Sequence, residues 1–238
     1  MTDRTSAELA ARWAVVRVCR RLWWRGLVAG PDGNVSVRLD DDRLLVTPSG
    51  GAKVDVRAHA LLVLSLDGAL LAGEGRPSSE LAMHLAIYSA RPDVRAVVHA
   101  HPPVATAFSV AGESLPDDVL PELICQVGAV ALVPYFTPGT PEAHGALAPY
   151  LAGHDAFLLA NHGATTIGGS LDEAHRRMES LEHAARIVYA ARALGHVTRL
   201  TASQRAALPV PTRPVQHPPP PQAPPPGAPP DPGRGAHR

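Results

Sequence analysis

The stretch Arg95-Ala96-Val97-Val98-His99-Ala100-His101, halted by Pro102-Pro103, limits the possible fold more than any other part of the chain. Its β-branched centre predicts a strand. Proline has no N–H to give a ladder and has a fixed φ, but it suits the first turn of a helix, so the chain must leave its sheet at this point. Strand side chains alternate faces, so His99 and His101 point the same way at the strand's exit. A third imidazole, His162 in Asn161-His162-Gly163, follows another strand-like run, Phe157 to Ala160. Three neutral imidazoles hold a divalent ion with room left for water or substrate, the pattern of a catalytic zinc rather than a structural one. A His-x-His pair alone also fits ordinary hydrogen-bonded histidines, so the third ring carries the weight.

Ser6 is read as the cap of a first helix whose apolar positions Leu9, Trp13, Val16 and Trp23 recur at helical spacing as far as Val28, with Gly30-Pro31 as the stop. The other face carries Arg12, Arg17, Arg21 and Arg25, which suits a solvated face or contact with phosphate or nucleic acid. Short strands follow at 34–39, 43–47, 61–66 and 69–72, an antiparallel meander. A helix opens at Pro77-Ser78-Ser79 and runs through Glu80, Met83, His84, Ile87 and Tyr88. After the histidine strand come a helix at 103–110, a strand at 130–134, a helix at 141–151, the strand before His162, and a long helix from Ser170 to Ala193 closed by Gly195. The interleaving lacks the regular spacing of a parallel βαβ array, which predicts a mixed or antiparallel sheet covered by helices.

At 238 residues with 45% hydrophobic content, a single compact domain over residues 1–208 is expected. Beyond it, 13 of the 25 prolines fall within residues 209–238, a composition that builds no core and reads as a disordered, semi-extended tail whose docking partner, if it has one, is unknown. The formal net charge is zero, so nothing global draws the chain to nucleic acid or an anionic membrane. Cys19 and Cys125 are too few for a disulfide framework and read as reduced, buried thiols. The polar N-terminus lacks the features of a secretory signal and no apolar run approaches a membrane span, so a cytoplasmic location is expected.

Four more segments belong with the histidines: Gly33-Asn34-Val35-Ser36-Val37-Arg38, Thr47-Pro48-Ser49-Gly50, Pro77-Ser78-Ser79-Glu80 and Tyr135-Phe136-Thr137-Pro138-Gly139-Thr140. In this order and spacing the six motifs, spread over roughly Ser6 to Gly195, resemble the class II aldolase/adducin family, whose best-known enzyme acts on fuculose 1-phosphate. The resemblance implies a three-layer α/β/α fold around a mostly antiparallel sheet, a homotetramer with active sites between subunits, and a catalytic Zn2+. By position, His99, His101 and His162 would hold the metal. Glu80 would be the acid/base carboxylate, ligating the ion before substrate arrives or lying within its reach. Asn34, Ser49, Gly50, Ser78 and Ser79 would hold a substrate phosphate, a role that backbone amides in a Gly-containing turn and at a helix start can fill. His84, one turn after Glu80, is either an outer partner of the site or an ordinary core or surface residue. His175, Glu179, Glu182 and His183 read as a solvated or interfacial stripe.

The implied activity is that of a zinc-dependent aldolase, which cleaves a short ketose phosphate to dihydroxyacetone phosphate and an aldehyde through an enediolate. Two alternatives stand beside it: a related zinc lyase, a decarboxylase or dehydratase, and a non-catalytic adducin-like interaction module. Some departures from the fuculose enzyme's pattern concern the aldehyde half. Pro138 stands where that enzyme has an aromatic residue, Leu120-Pro121-Glu122-Leu123 replaces a tyrosine-bearing stretch, and no C-terminal active-site tyrosine is evident. Related 4-epimerases carry aspartate at the position of Glu80, which argues against epimerisation.

Overall fold

The computed structural model describes residues 2–209, so the proline-rich tail from 210 onward lies outside the described residues. Eight strands form one sheet: β1 (Asn34–Arg38), β2 (Arg43–Val46), β3 (Leu62–Ser65), β4 (Leu70–Ala72), β5 (Ala96–Ala100), β6 (Val130–Val133), β7 (Ala156–Leu159) and β8 (Gly163–Gly168). Their order is β4-β3-β2-β1-β5-β8-β7-β6. Only β6 and β7 pair in parallel; every other neighbouring pair is antiparallel. The meander of β1 to β4 is as expected, and the histidine strand β5 lies between β1 and β8.

Helices cover both faces. On one side α1 (Thr2–Trp24), α3 (Pro103–Val110), α4 (Pro121–Gln126) and α6 (Leu171–Ala193) pack on Val35, Leu45, Val98, Ala100, Leu158 and Ala164. On the other, α2 (Leu81–Ala90) and α5 (Glu142–Leu151) pack on Leu44, Val46, Val97, Ala131, Phe157 and Ile167. Val97 and Val98 serve opposite cores, as the strand period requires. The result is a three-layer α/β/α fold with a mostly antiparallel sheet.

Several boundaries differ from the sequence reading. Helix α1 includes Ser6 and stops at Trp24, because Gly26 takes a left-handed φ of 67°. Gly26 N–H then donates to Trp23 O and Leu27 N–H to Leu22 O, a paired closure that ends the helix before Gly30-Pro31. Val15, Val18, Cys19 and Leu22 form its buried face, while Leu9 and Trp13 are exposed. Cys19 is buried but Cys125 only partly so, and both are free. Strand β8, helix α4 and the short α7 (Ala202–Ala206), capped by Thr201, were not anticipated. Gly163, Ala164 and Gly168 hide β8 from a reading by β-branched content. The first and last of these glycines are needed there, since a Cβ at Gly163 would lie 2.7 Å from Ala100 O and one at Gly168 2.8 Å from Ala174 N.

Phe157 is fully buried on β7 against the α2 and α5 side. Phe157→Ala should cost about 3–5 kcal/mol in a urea melt, the range for truncating a buried aromatic residue; a change below about 1 kcal/mol would show that this layer packs loosely.

Candidate metal and acid/base site

The sheet register builds the site. Asn34 of β1 pairs with His99 of β5, and His99 pairs with Thr165 of β8, so three polar residues lie in a row across adjacent strands. His101 follows β5, its backbone N–H held by Leu27 O. His162 sits in the three-residue turn between β7 and β8, where Asn161 takes a φ of 57°, a conformation asparagine tolerates. The three ring centroids lie 4.8–5.1 Å apart, and one ligand atom from each residue falls within 4.8 Å of the others. Gly163 makes room for this packing, since a Cβ there would come 2.6 Å from His101 Cδ2.

The hydrogen-bond partners behind the rings fix which nitrogens face inward. The Thr165 hydroxyl donates to Met83 Sδ, so it accepts from His99 Nδ1–H at 3.0 Å. The Asp32 carboxylate faces His101 Nδ1 at 3.4 Å and can only accept. Both rings therefore turn an unprotonated Nε2 inward, and these two nitrogens lie 3.1 Å apart. Glu80 Oε2 adds a third acceptor 3.2 Å from His99 Nε2. Burial pushes the His99 pKa down to about 3, so no proton resolves the conflict. Acceptors converging without a proton suit a cation, and this donor set fits a borderline-soft divalent metal. His162 Nδ1 is also buried without a partner.

Glu80 reaches from the residue before α2, its Oε1 2.8 Å from His162 Nε2. Burial opposes its ionisation, but the facing His99 and His162 rings and a 2.7 Å hydrogen bond from Asn34 Nδ2–H outweigh that and hold the carboxyl well below its usual range. The contacts with His162 Nε2 and Asn34 Nδ2 hold the carboxylate from two sides.

The expected phosphate residues converge only in part. Asn34 donates to Ser78 Oγ at 3.1 Å as well as to Glu80. An isolated bridge between Pro48 and Pro77 and a bond from Ser49 N–H to Arg76 O hold the Ser49-Gly50 turn beside the Ser78-Ser79 turn. Gly50 has a φ of 86° and open space around it. Ser78 and Ser79 precede α2 rather than forming its first turn, because the helix begins at Leu81. Lys53, buried beneath this region, ties the loops together by donating to Pro31 O and Gly51 O.

Asp32, Thr165 and Lys53 escaped the sequence reading, the second because β8 did; the Pro31-Asp32-Gly33 turn next to Asn34 was the available signal for the first. His84 is buried within the site's surroundings rather than at the surface. The stripe on α6 is corrected too: His175 and Glu182 are buried, and Glu182 accepts from Val104 N–H and Ala105 N–H at the start of α3.

The model of the class II aldolase and adducin N-terminal domain matches residues 14–189. The chain belongs to the class II aldolase/adducin family. A 3-oxo-tetronate 4-phosphate decarboxylase from Haemophilus influenzae is 37% identical over 193 residues, 79% of this chain and 89% of that protein. An L-fuculose phosphate aldolase from Methanococcus maripaludis is 35% identical over 174 residues, 73% of this chain and 93% of that one. Among solved structures, YgbL from Escherichia coli, a candidate aldolase/epimerase/decarboxylase, superposes with a TM-score of 0.78 at 36% identity, covering 84% of this chain and 98% of its own. Among the described residues no helix is long and apolar enough to cross a membrane.

The site has a pH signature. Burial lowers the His84 pKa from 6.5 to about 4, with Glu80 opposing the shift, so the unfolded chain binds the extra proton first as pH falls. The stabilising contribution is complete above about pH 6.5 and is lost as pH falls toward 4. Urea midpoints should drop across that window, and more steeply than in His84→Gln; parallel curves would show that His84 is not buried neutral.

Proposed function

We propose that the chain is a metal-dependent lyase that decarboxylates a short phosphorylated 3-oxo sugar acid, a 3-oxo-tetronate 4-phosphate, through an enediolate. The observation that carries this reading is the Glu80 carboxyl, fixed between His99 and His162 beside the inward-facing imidazole nitrogens. Decarboxylase relatives at 36–37% identity support the substrate class. Pro138 and the Leu120–Leu123 stretch support it as well: loss of CO2 leaves no aldehyde to hold, so a site without aromatic residues at those positions suits it.

In a 3-oxo acid the bond to the carboxylate breaks with its electron pair passing toward the ketone. A divalent ion, zinc by donor set, held by His99, His101 and His162 would supply positive charge where negative charge develops on the substrate oxygens. Glu80, ionised at rest, takes the proton of the neighbouring hydroxyl and returns it to the carbon that carried the carboxylate. Water restores the hydroxyl proton, the one proton that decarboxylation consumes, and dihydroxyacetone phosphate remains. We assign the phosphate to Ser49, Gly50, Ser78 and Ser79, with Asn34, whose two amide hydrogens go to Glu80 and Ser78, acting through Ser78. We also infer a homotetramer, for which the exposed Trp13, Trp24 and Tyr189 offer apolar surface.

A second reading, retro-aldol cleavage of a ketose 1-phosphate, passes through the same enediolate and is favoured by the fuculose phosphate aldolase relative. Zinc-loaded protein given 3-oxo-tetronate 4-phosphate in heavy water should release equimolar CO2 and singly deuterated dihydroxyacetone phosphate. Glu80→Gln should slow this on the order of 10²–10⁴-fold, the usual worth of positioned acid/base catalysis. Faster turnover of any ketose 1-phosphate than of the 3-oxo acid would favour the aldolase instead.

A further inference from the structure

Helix α2 and strand β1 face each other through a polar seam rather than an apolar one. Glu80, His84 and Tyr88 recur every fourth residue along α2 and its N-terminal flank. Asn34, Ser36 and Arg38 recur every second residue on β1. Four helical residues rise about 6 Å and two strand residues about 6.6 Å, so the two series stay in step. The rungs are made: Asn34 bonds Glu80 and His84, Ser36 bonds His84 at 2.6 Å and Tyr88 at 2.9 Å, and Arg38 donates to Tyr88 O while lying over its ring.

The hydrogens along this seam have one consistent arrangement. Asn34 turns its amide nitrogen toward Glu80 Oε2 and Ser78 Oγ, and a carboxylate oxygen there accepts. Asn34 Oδ1 then faces His84 Nε2, which must carry the ring proton. His84 Nδ1 is left to accept from Ser36 O–H, and Ser36 Oγ accepts from Tyr88 O–H. Turning the Asn34 amide over would set Oδ1 against the carboxylate and reverse every later bond.

We propose that His84 is a positioning residue for this reaction: its Nε2–H locks the Asn34 amide so that one Asn34 N–H orients the Glu80 carboxylate. The proposal rests on Glu80 being the acid/base group. It deepens that reading by naming what holds Glu80 ready.

Two measurements test it. In the full chain with 15N-labelled histidine, the His84 ring should give the Nε2–H tautomer pattern at pH 7, a readout that needs neither substrate nor turnover; an Nδ1–H pattern would overturn the proposal. His84→Phe keeps the ring's bulk without the donor and should lower kcat on the order of 10–100-fold, as loss of an orienting partner does. His84→Gln, whose amide nitrogen reaches the Nε2 position, should restore most of that loss with an unchanged melting temperature relative to His84→Phe. Equal rates for the two variants, slow or fast, would overturn it. If His84→Phe does not fold, the tautomer alone decides. If the wild-type chain turns over neither the 3-oxo acid nor any ketose 1-phosphate, the functional reading fails, while the tautomer still decides the lock.

Discussion

The inward lone pairs of His99 and His101 depend on what stands behind each ring. Thr165 takes the Nδ1 proton of the first and Asp32 faces the Nδ1 of the second, so the two Nε2 atoms meet at 3.1 Å with nothing to share. Two acceptors facing each other with no proton between them cost free energy, which a bound cation would relieve. The fold supports it through register. β5 lies between β1 and β8, and both pairings are antiparallel, which aligns Asn34, His99 and Thr165. A slip of one residue in either pairing would turn those side chains to the opposite face and into the apolar core under α1 and α6.

Much of this was legible in the sequence, for local reasons. The histidine pair announced itself because strand alternation and a double proline are local signals, and the observed strand, Ala96–Ala100, stops one residue short of His101. The meander strands also fall within a residue or two of their expected limits. What was missed is non-local. Gly163 and Gly168 are small because other segments crowd them, so β8 lost its β-branched signature at both ends. The buried His175 and Glu182 looked like a solvated stripe because their partners lie on other elements, Glu182 receiving its N–H groups from the start of α3. His84 remained ambiguous for the same reason: its bonds run to β1, about fifty residues earlier in the chain.

The seam between α2 and β1 links the fold to the chemistry. An apolar face there would pack as well, yet the chain spends buried positions on Asn34, Ser36, Arg38, His84 and Tyr88 and satisfies them through one another. A fully paired polar network is rigid, and rigidity is what the acid/base role proposed for Glu80 requires. Aldol cleavage and decarboxylation both need such a centre, since each leaves a carbanion beside a ketone. They differ in the departing fragment, carbon dioxide in one case and an aldehyde in the other.

Whether His99, His101 and His162 together hold one divalent ion can be read by X-ray absorption spectroscopy of the purified chain with its metal content measured in parallel. One zinc per chain with three imidazole nitrogens at about 2.0–2.1 Å is expected. A metal-free protein that takes up no zinc, or an ion surrounded only by oxygen, would contradict it.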